Sequence, residues 1–117
     1  MPREFRIAAP VPVDLAAIAQ AAAIVDDSLA VRAIAHGQVI QLVDVADETI
    51  LSIQVSRLLD DPADAVRVAP TLDPGALTGP QHWVEAFAPW TSGGAQGALV
   101  VVELARMLHG SLERSDA

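Results

Sequence analysis

The chain has no cysteine, lysine, tyrosine or asparagine, and only 3% of it is aromatic. Without cysteine there is no disulfide framework, no thiolate nucleophile and no Cys-based zinc site. Without lysine no P-loop can reach a phosphate. Every basic residue is therefore an arginine, and the seven of them face fifteen Asp and Glu, for a net charge of −8. Such a chain has no basic stripe with which to neutralise phosphates, so nucleic acid is excluded as a partner. Apolar runs such as Ala98 to Val102 are far below the roughly 20 residues that span a bilayer. No continuous apolar segment follows Met1-Pro2-Arg3-Glu4, so no signal peptide or membrane contact is expected, and a cytoplasmic location is.

What is present is apolar and small. Hydrophobic residues make up 52% of 117 and mean hydropathy is +0.39, which suits a packed domain and not a disordered chain. We expect a single α+β domain over residues 1–110 and a frayed polar tail over 111–117. A chain this apolar with so few charges to cover it is also expected to form a homodimer or a tight complex.

Periodicity predicts the elements. Glu4 to Ala8 reads as a strand. Asp14 is a good N-cap for a helix from Leu15, with Leu15, Ile18, Ala22 and Val25 on one face. Leu29 to Ala35, Val39 to Val45 and Thr49 to Leu58 read as an antiparallel meander, with turns at His36-Gly37 and Ala46-Asp47-Glu48. Asp61-Pro62 opens a short helix through Val66, and Pro70 to Pro80 is the longest loop. Gln81 to Phe87 reads as the last strand. Ser92-Gly93-Gly94 opens a helix to about His109, with Gly110 as its C′ residue. In that helix Gly97, Val100, Val101, Leu104, Met107 and Leu108 form the apolar stripe, and Glu103 and Arg106 mark the wet side. The order β-α-β-β-β-short α-β-α predicts an antiparallel sheet of four to five strands with two helices on one face.

Motifs that carry chemistry are few. Asp27-Ser28-Leu29 resembles the site at which acyl carrier proteins receive phosphopantetheine. The stretch from Ala30 to Val43 is β-branched and broken by Gly37, so the segment reads as a helix end leading into a strand. Gly93, Gly94 and Gly97 match no nucleotide fingerprint and read as a turn with close helix packing. His36, His82 and His109 lack metal-ligand spacing. Asp44, Asp47 and Glu48 lack the alternation and glycine of a calcium loop. No metal or cofactor is expected.

Trp83, Phe87 and Trp90 gather most of the aromatic surface. Trp83, Glu85 and Phe87 share a strand face; Phe87 is expected beneath the helices, and Trp90, beside Pro89, in solvent. Candidate partner-binding residues are Trp90 and Trp83, with the acidic clusters Asp44, Asp47, Glu48 and Asp60, Asp61, Asp64 as a field that attracts a basic surface.

Two stretches carry a family resemblance. Gly37-Gln38-Val39-Ile40-Gln41-Leu42 leads to Ile50-Leu51-Ser52-Ile53 within Val31 to Val68, and a second stretch runs from Trp83 through Gly110. Together they resemble an uncharacterised actinobacterial family whose genes tend to lie near type VII secretion loci, and the absence of Lys, Asn and Tyr suits a GC-rich genome. The resemblance implies an accessory, chaperone or immunity role and assigns no residues. We therefore expect a non-enzymatic protein-binding module. The alternative is a small-molecule binder or small enzyme with a pocket between sheet and helices, lined by His82, Glu85 or Asp44.

Overall fold

A computed structural model describes residues 2–54, 57–61, 63, 64, 67, 69, 72, 77 and 79–115, and among these residues seven strands and two long helices build the fold. In order they are β1 (Arg3–Ala9), α1 (Leu15–Val25), β2 (Ala30–Ile34), a 3-10 turn (Ala35–Gly37), β3 (Val39–Val43), β4 (Thr49–Gln54), β5 (Arg57–Leu59), β6 (Gln81–Ala88), α2 (Ser92–Met107) and β7 (Ser111–Ser115). One sheet runs β2-β3-β4-β6-β1-β7, and β5 also pairs with β6. Every pairing is antiparallel. The α+β class is as expected, and the strand count is not.

Two departures account for the count. The long strand expected over Thr49 to Leu58 is two strands on successive stretches of β6, with Ser52 opposite Phe87 in β4 and Arg57 opposite Trp83 in β5. The expected frayed tail is β7, which pairs with β1 from Glu4 opposite Ser115 to Ala8 opposite Ser111. Gln81–Ala88 is therefore not the last strand. β1 lies inside the sheet, and its free edge supplies β7 with partners that a polar sequence does not advertise. Ala63, Asp64 and Arg67 are helical, as the short helix expected from Asp61-Pro62 requires, and Asp61 Oδ1 accepts the Ala63 N–H at 3.0 Å; the other residues of that segment and most of the Pro70–Pro80 loop lie outside the described residues.

Caps fix the helix ends. Asp14 Oδ1 accepts the Ala17 N–H at 2.9 Å, and Thr91 Oγ1 accepts the Gly94 N–H at 3.0 Å, each satisfying a donor that the first helical turn leaves over. At the end of α2 the left-handed residue is His109 (φ 52°) and not the expected Gly110, whose N–H instead closes on Ala105 O at 2.8 Å.

Register assigns the side chains to faces. Phe5, Ile7 and Ala9 of β1, Ile40 and Leu42 of β3, Leu51 and Ile53 of β4, and Val84, Ala86 and Ala88 of β6 alternate onto one side. There they form one buried cluster with Ile18, Ala21 and Ala22 of α1 and Ala98, Val100, Val101, Leu104 and Ala105 of α2. Both helices thus cover that face, and Leu104 is 0% exposed within it. α2 reaches the sheet because two of its glycines have no side chain. A Cβ on Gly97 would stand 2.2 Å from Ile50 O, and one on Gly94 1.7 Å from Pro89 O. The same approach buries Ile50, the extra residue at the register shift between β3 and β4.

The opposite face is composed differently. Ala8 and Trp83 pack there with Ala69, Leu72 and Leu77 in a smaller cluster. Trp83 and Phe87 are therefore not beneath the helices. Both point away from them, Trp83 buried to 1% exposure and Phe87 half-buried. Trp83 Nε1 has no hydrogen-bond partner.

Candidate functional site

The strand registers sort the expected binding residues to the two ends of the sheet. Ser52 pairs with Phe87, so the start of β4 and the turn before it lie at the end of the sheet where β6 gives way to Trp90. Leu59 pairs with Gln81, so Asp60 and Asp61, which follow it, lie at the other end. The two acidic clusters thus do not form one surface. Trp90 and the cluster of Asp44, Asp47 and Glu48 share an end, and Trp83 is buried out of reach. Asp64 is half-buried and pairs with Arg67.

At the shared end the turn between β3 and β4 is held by its own polar groups. Asp44 Oδ1 accepts the N–H groups of Ala46 (2.9 Å) and Glu48 (3.0 Å). Asp47 N donates to Asp44 O at 3.0 Å, and Asp47 takes a left-handed φ of 62°. Asp residues tolerate that conformation and make such turns. β3 stops at Val43, two residues short of expectation, and leaves Val45 84% exposed at the tip.

Beside this turn lies an open groove of 590 Å³ lined by Asp44, Ser92, Gly93, Ala95, Gln96 and Leu99. Its floor is the first turn of α2, whose uncapped N–H groups carry partial positive charge that Asp44 complements. Gln96 of this lining also reaches the end of α1. Gln96 Nε2 donates to Asp26 Oδ2 at 2.9 Å, and Asp26 Oδ1 accepts from Ser28 N (2.9 Å) and Ser28 Oγ (2.7 Å). These bonds, those from Ser28 first and then that from Gln96, hold the Asp26 carboxyl below its ordinary range, so it is ionised here. Ser28 is therefore bonded to Asp26, the C-cap residue of α1, two residues before β2 begins, in the helix end leading into a strand that the sequence reading of Asp27-Ser28-Leu29 expects.

Trp90 stands at the lip of α2, 52% exposed. The Arg3 guanidinium lies 4.7 Å from its ring centroid, a cation–π contact that orients the indole. Sequence reasoning found Trp90 and the three acids of the turn. It missed Val45, Leu99, Gln96 and Asp26, which belong to separate elements that only the fold brings to one end.

The pocket imagined for the alternative reading does not assemble. His82 lies opposite Ala9 and Glu85 opposite Arg6, so the two project from opposite faces of β6, and Asp44 stands at the far end of the sheet. The space between sheet and helices is taken by the main apolar cluster. Glu85 instead faces Arg6, which also contacts Glu4 (3.7 Å) and Glu113 (3.0 Å). Among the described residues no group of three or more His, Asp or Glu is placed to hold a metal ion, and no helix is long and apolar enough to cross a membrane. The chain matches no family model, no curated protein and no solved structure.

Proposed function

We propose that this chain is a non-enzymatic protein-binding module that takes its partner at the end of the sheet where α2 begins. One observation carries the reading: Val45 and Trp90, exposed and apolar, share that end with Asp44, Asp47 and Glu48, beside an open groove lined by Asp44, Gln96 and Leu99. Exposed apolar anchors beside an acidic turn, of which Asp47 is engaged by Arg32 at 3.5 Å, suit a partner segment that is basic and carries a bulky apolar side chain. The carboxylates steer the encounter, and Val45, Trp90 and Leu99 supply the contact that slows dissociation. A ligand site for a small molecule normally encloses most of its occupant, and this groove is open. An accessory, chaperone or immunity protein of a secretion system is the form of this reading that the family resemblance suggests.

The test begins with co-purification from the native host and mass spectrometry to obtain a partner. Its association rate should fall steeply as salt shortens the Debye length from about 10 Å at 0.1 M to about 3 Å at 1 M. The triple variant Asp44→Asn, Asp47→Asn, Glu48→Gln should slow association, and Trp90→Ala should speed dissociation. A partner whose rates ignore all of these changes binds elsewhere, and the assignment of this end is then withdrawn.

A further inference from the structure

The outer side of the helix layer has the least ordinary composition in the molecule. Of the eleven residues of α1, LAAIAQAAAIV, ten are apolar and none is charged. Its inner residues Ile18, Ala21 and Ala22 are buried, yet Leu15, Ala16, Ala19, Ala23 and Ile24 are exposed. A surface helix normally sets charges opposite its buried stripe, and a helix apolar all round is normally covered all round. α2 continues the pattern. Ala95, Leu99, Val102 and Arg106 recur at four-, three- and four-residue spacing along its exposed side, and Arg106 is neutralised by Glu103, whose two carboxylate oxygens accept from Nε at 3.1 Å. The two helices lie side by side, with the end of α1 tied to the start of α2 through Asp26 and Gln96, so they run antiparallel.

We infer that this face is covered by the same face of a second copy of the chain. Charge selects that occupant. The two helices contain one acid and one base, paired with each other, so the whole net charge of −8 lies outside them. Two such acidic molecules repel wherever their carboxylates meet, and the uncharged helix layer is where they can approach. A membrane is the wrong occupant, because helices that lie on lipid carry Lys and Arg along the polar face, and α1 has neither.

Shape agrees with charge. α1 presents a stripe of small side chains, Ala16, Ala19 and Ala23, and α2 presents the larger Leu99 and Val102. A two-fold axis through the layer lays α2 of each copy on α1 of the other, so the large residues seat on the small stripe twice, as an isologous interface requires. Helices of 11 and 16 residues are about 16 and 24 Å long at 1.5 Å per residue. Side by side at about 10 Å each they offer a footprint on the order of 500 Å² per copy, about where specific interfaces begin. The dimer is therefore of moderate strength and concentration-dependent. It overlaps the partner surface proposed above at Ala95 and Leu99, which also line the groove, while Val45, Trp90 and the acids of the turn stay outside it.

Light scattering over a concentration series should show the mass rise from 12.2 kDa to twice that value. Val102→Glu, checked for an unchanged circular dichroism spectrum, should remain at the lower mass throughout, while the Asp44→Asn, Asp47→Asn, Glu48→Gln variant should dimerise normally. Because the chain has no cysteine, single cysteines report the geometry cleanly. A mixture of Ala19→Cys and Val102→Cys proteins should be joined by a short bismaleimide at least tenfold faster than Val45→Cys protein, whose thiol is open but off the face. A monomer at every concentration, a dimer that survives Val102→Glu, or cross-linking no faster than the Val45→Cys control would each overturn the inference.

Discussion

On the helix side of the sheet the buried side chains are apolar and contiguous, from Phe5 and Ile7 through Leu51 and Ile53 to Val100, Val101 and Leu104. On the other side the strands carry a polar row. Register runs it from Arg32 to Gln41, Ser52, Phe87, Glu4 and Ser115. Arg32 Nε donates to Gln41 Oε1 at 3.0 Å, and Gln41 Nε2 to Ser52 Oγ at 3.4 Å. In the neighbouring row Arg6 gathers three carboxylates, including Glu113, which is only 7% exposed. The first face is held by area removed from water, which needs no geometry beyond packing. The second holds strands in register through directional bonds, each contributing little net stability but costly to leave half-made.

Truncation should therefore separate the faces. Leu104→Ala removes a fully buried side chain from the tightest part of the cluster and should cost about 2–5 kcal/mol in urea unfolding. Leu99→Ala, on the exposed side of the same helix, should stay within about 0.5 kcal/mol at concentrations where the chain is monomeric. Equal losses at the two positions would mean that α2 does not pack as described. Gly97→Ala sharpens the point. The substitution favours an isolated helix by about 1 kcal/mol, yet the added methyl meets the Ile50 carbonyl, so the protein should be destabilised by about 1–3 kcal/mol.

On the polar face, Arg6→Ala removes the ion pair to buried Glu113 and should cost about 1–3 kcal/mol. The double variant Arg6→Met, Glu113→Leu should recover much of that loss, because it removes the buried carboxylate together with the pair. Recovery of nothing would show that the pair is worth more than its desolvation. Smaller again is Ala35→Gly in the β2–β3 connection. Ala35 (φ 52°) and His36 (φ 57°) are consecutive left-handed residues, a conformation that costs an alanine about 1 kcal/mol. Glycine there should stabilise by about 0.5–1 kcal/mol without touching either face, measured by the denaturation midpoint.

The smallest expected effect is a pH dependence at the junction of the two helices. Asp26 is held below its ordinary pKa by its hydrogen bonds from Ser28 and Gln96. A carboxylate depressed in the folded state stabilises the fold fully above the unfolded value and loses that contribution as pH falls through the folded one. Wild type should thus exceed Asp26→Asn in denaturation midpoint at about pH 6, with the gap closing below about pH 4. A gap constant across that range would mean that Asp26 acts without its charge.

The elements with a strong local period were legible in the sequence. α1 begins at the residue after Asp14, β3 alternates Ile40 and Leu42 toward the core, and Leu104 sits at the centre of the α2 stripe, all because period and cap are local properties. The end-of-sheet site was legible only as residue types. Trp90 beside Pro89 read as exposed and the Asp44–Glu48 turn as acidic, but nothing local says that they share an end while Asp60 and Asp61 lie at the other.

By itself, then, the sequence determined the class of fold, the helix that closes it and the face that helix buries, because hydrophobic spacing is written residue by residue. Tertiary structure alone decided which strands are neighbours and which face each side chain meets. Ser111–Ser115 is polar and became β7 because the edge of β1 had unpaired backbone groups to satisfy. Glu113 could be buried because Arg6 stands opposite it. Trp83 turned away from the helices because its parity on β6 matches Ala8 and Arg57, its partners across β1 and β5. Pairing joins residues a hundred positions apart, and no local pattern records the partner.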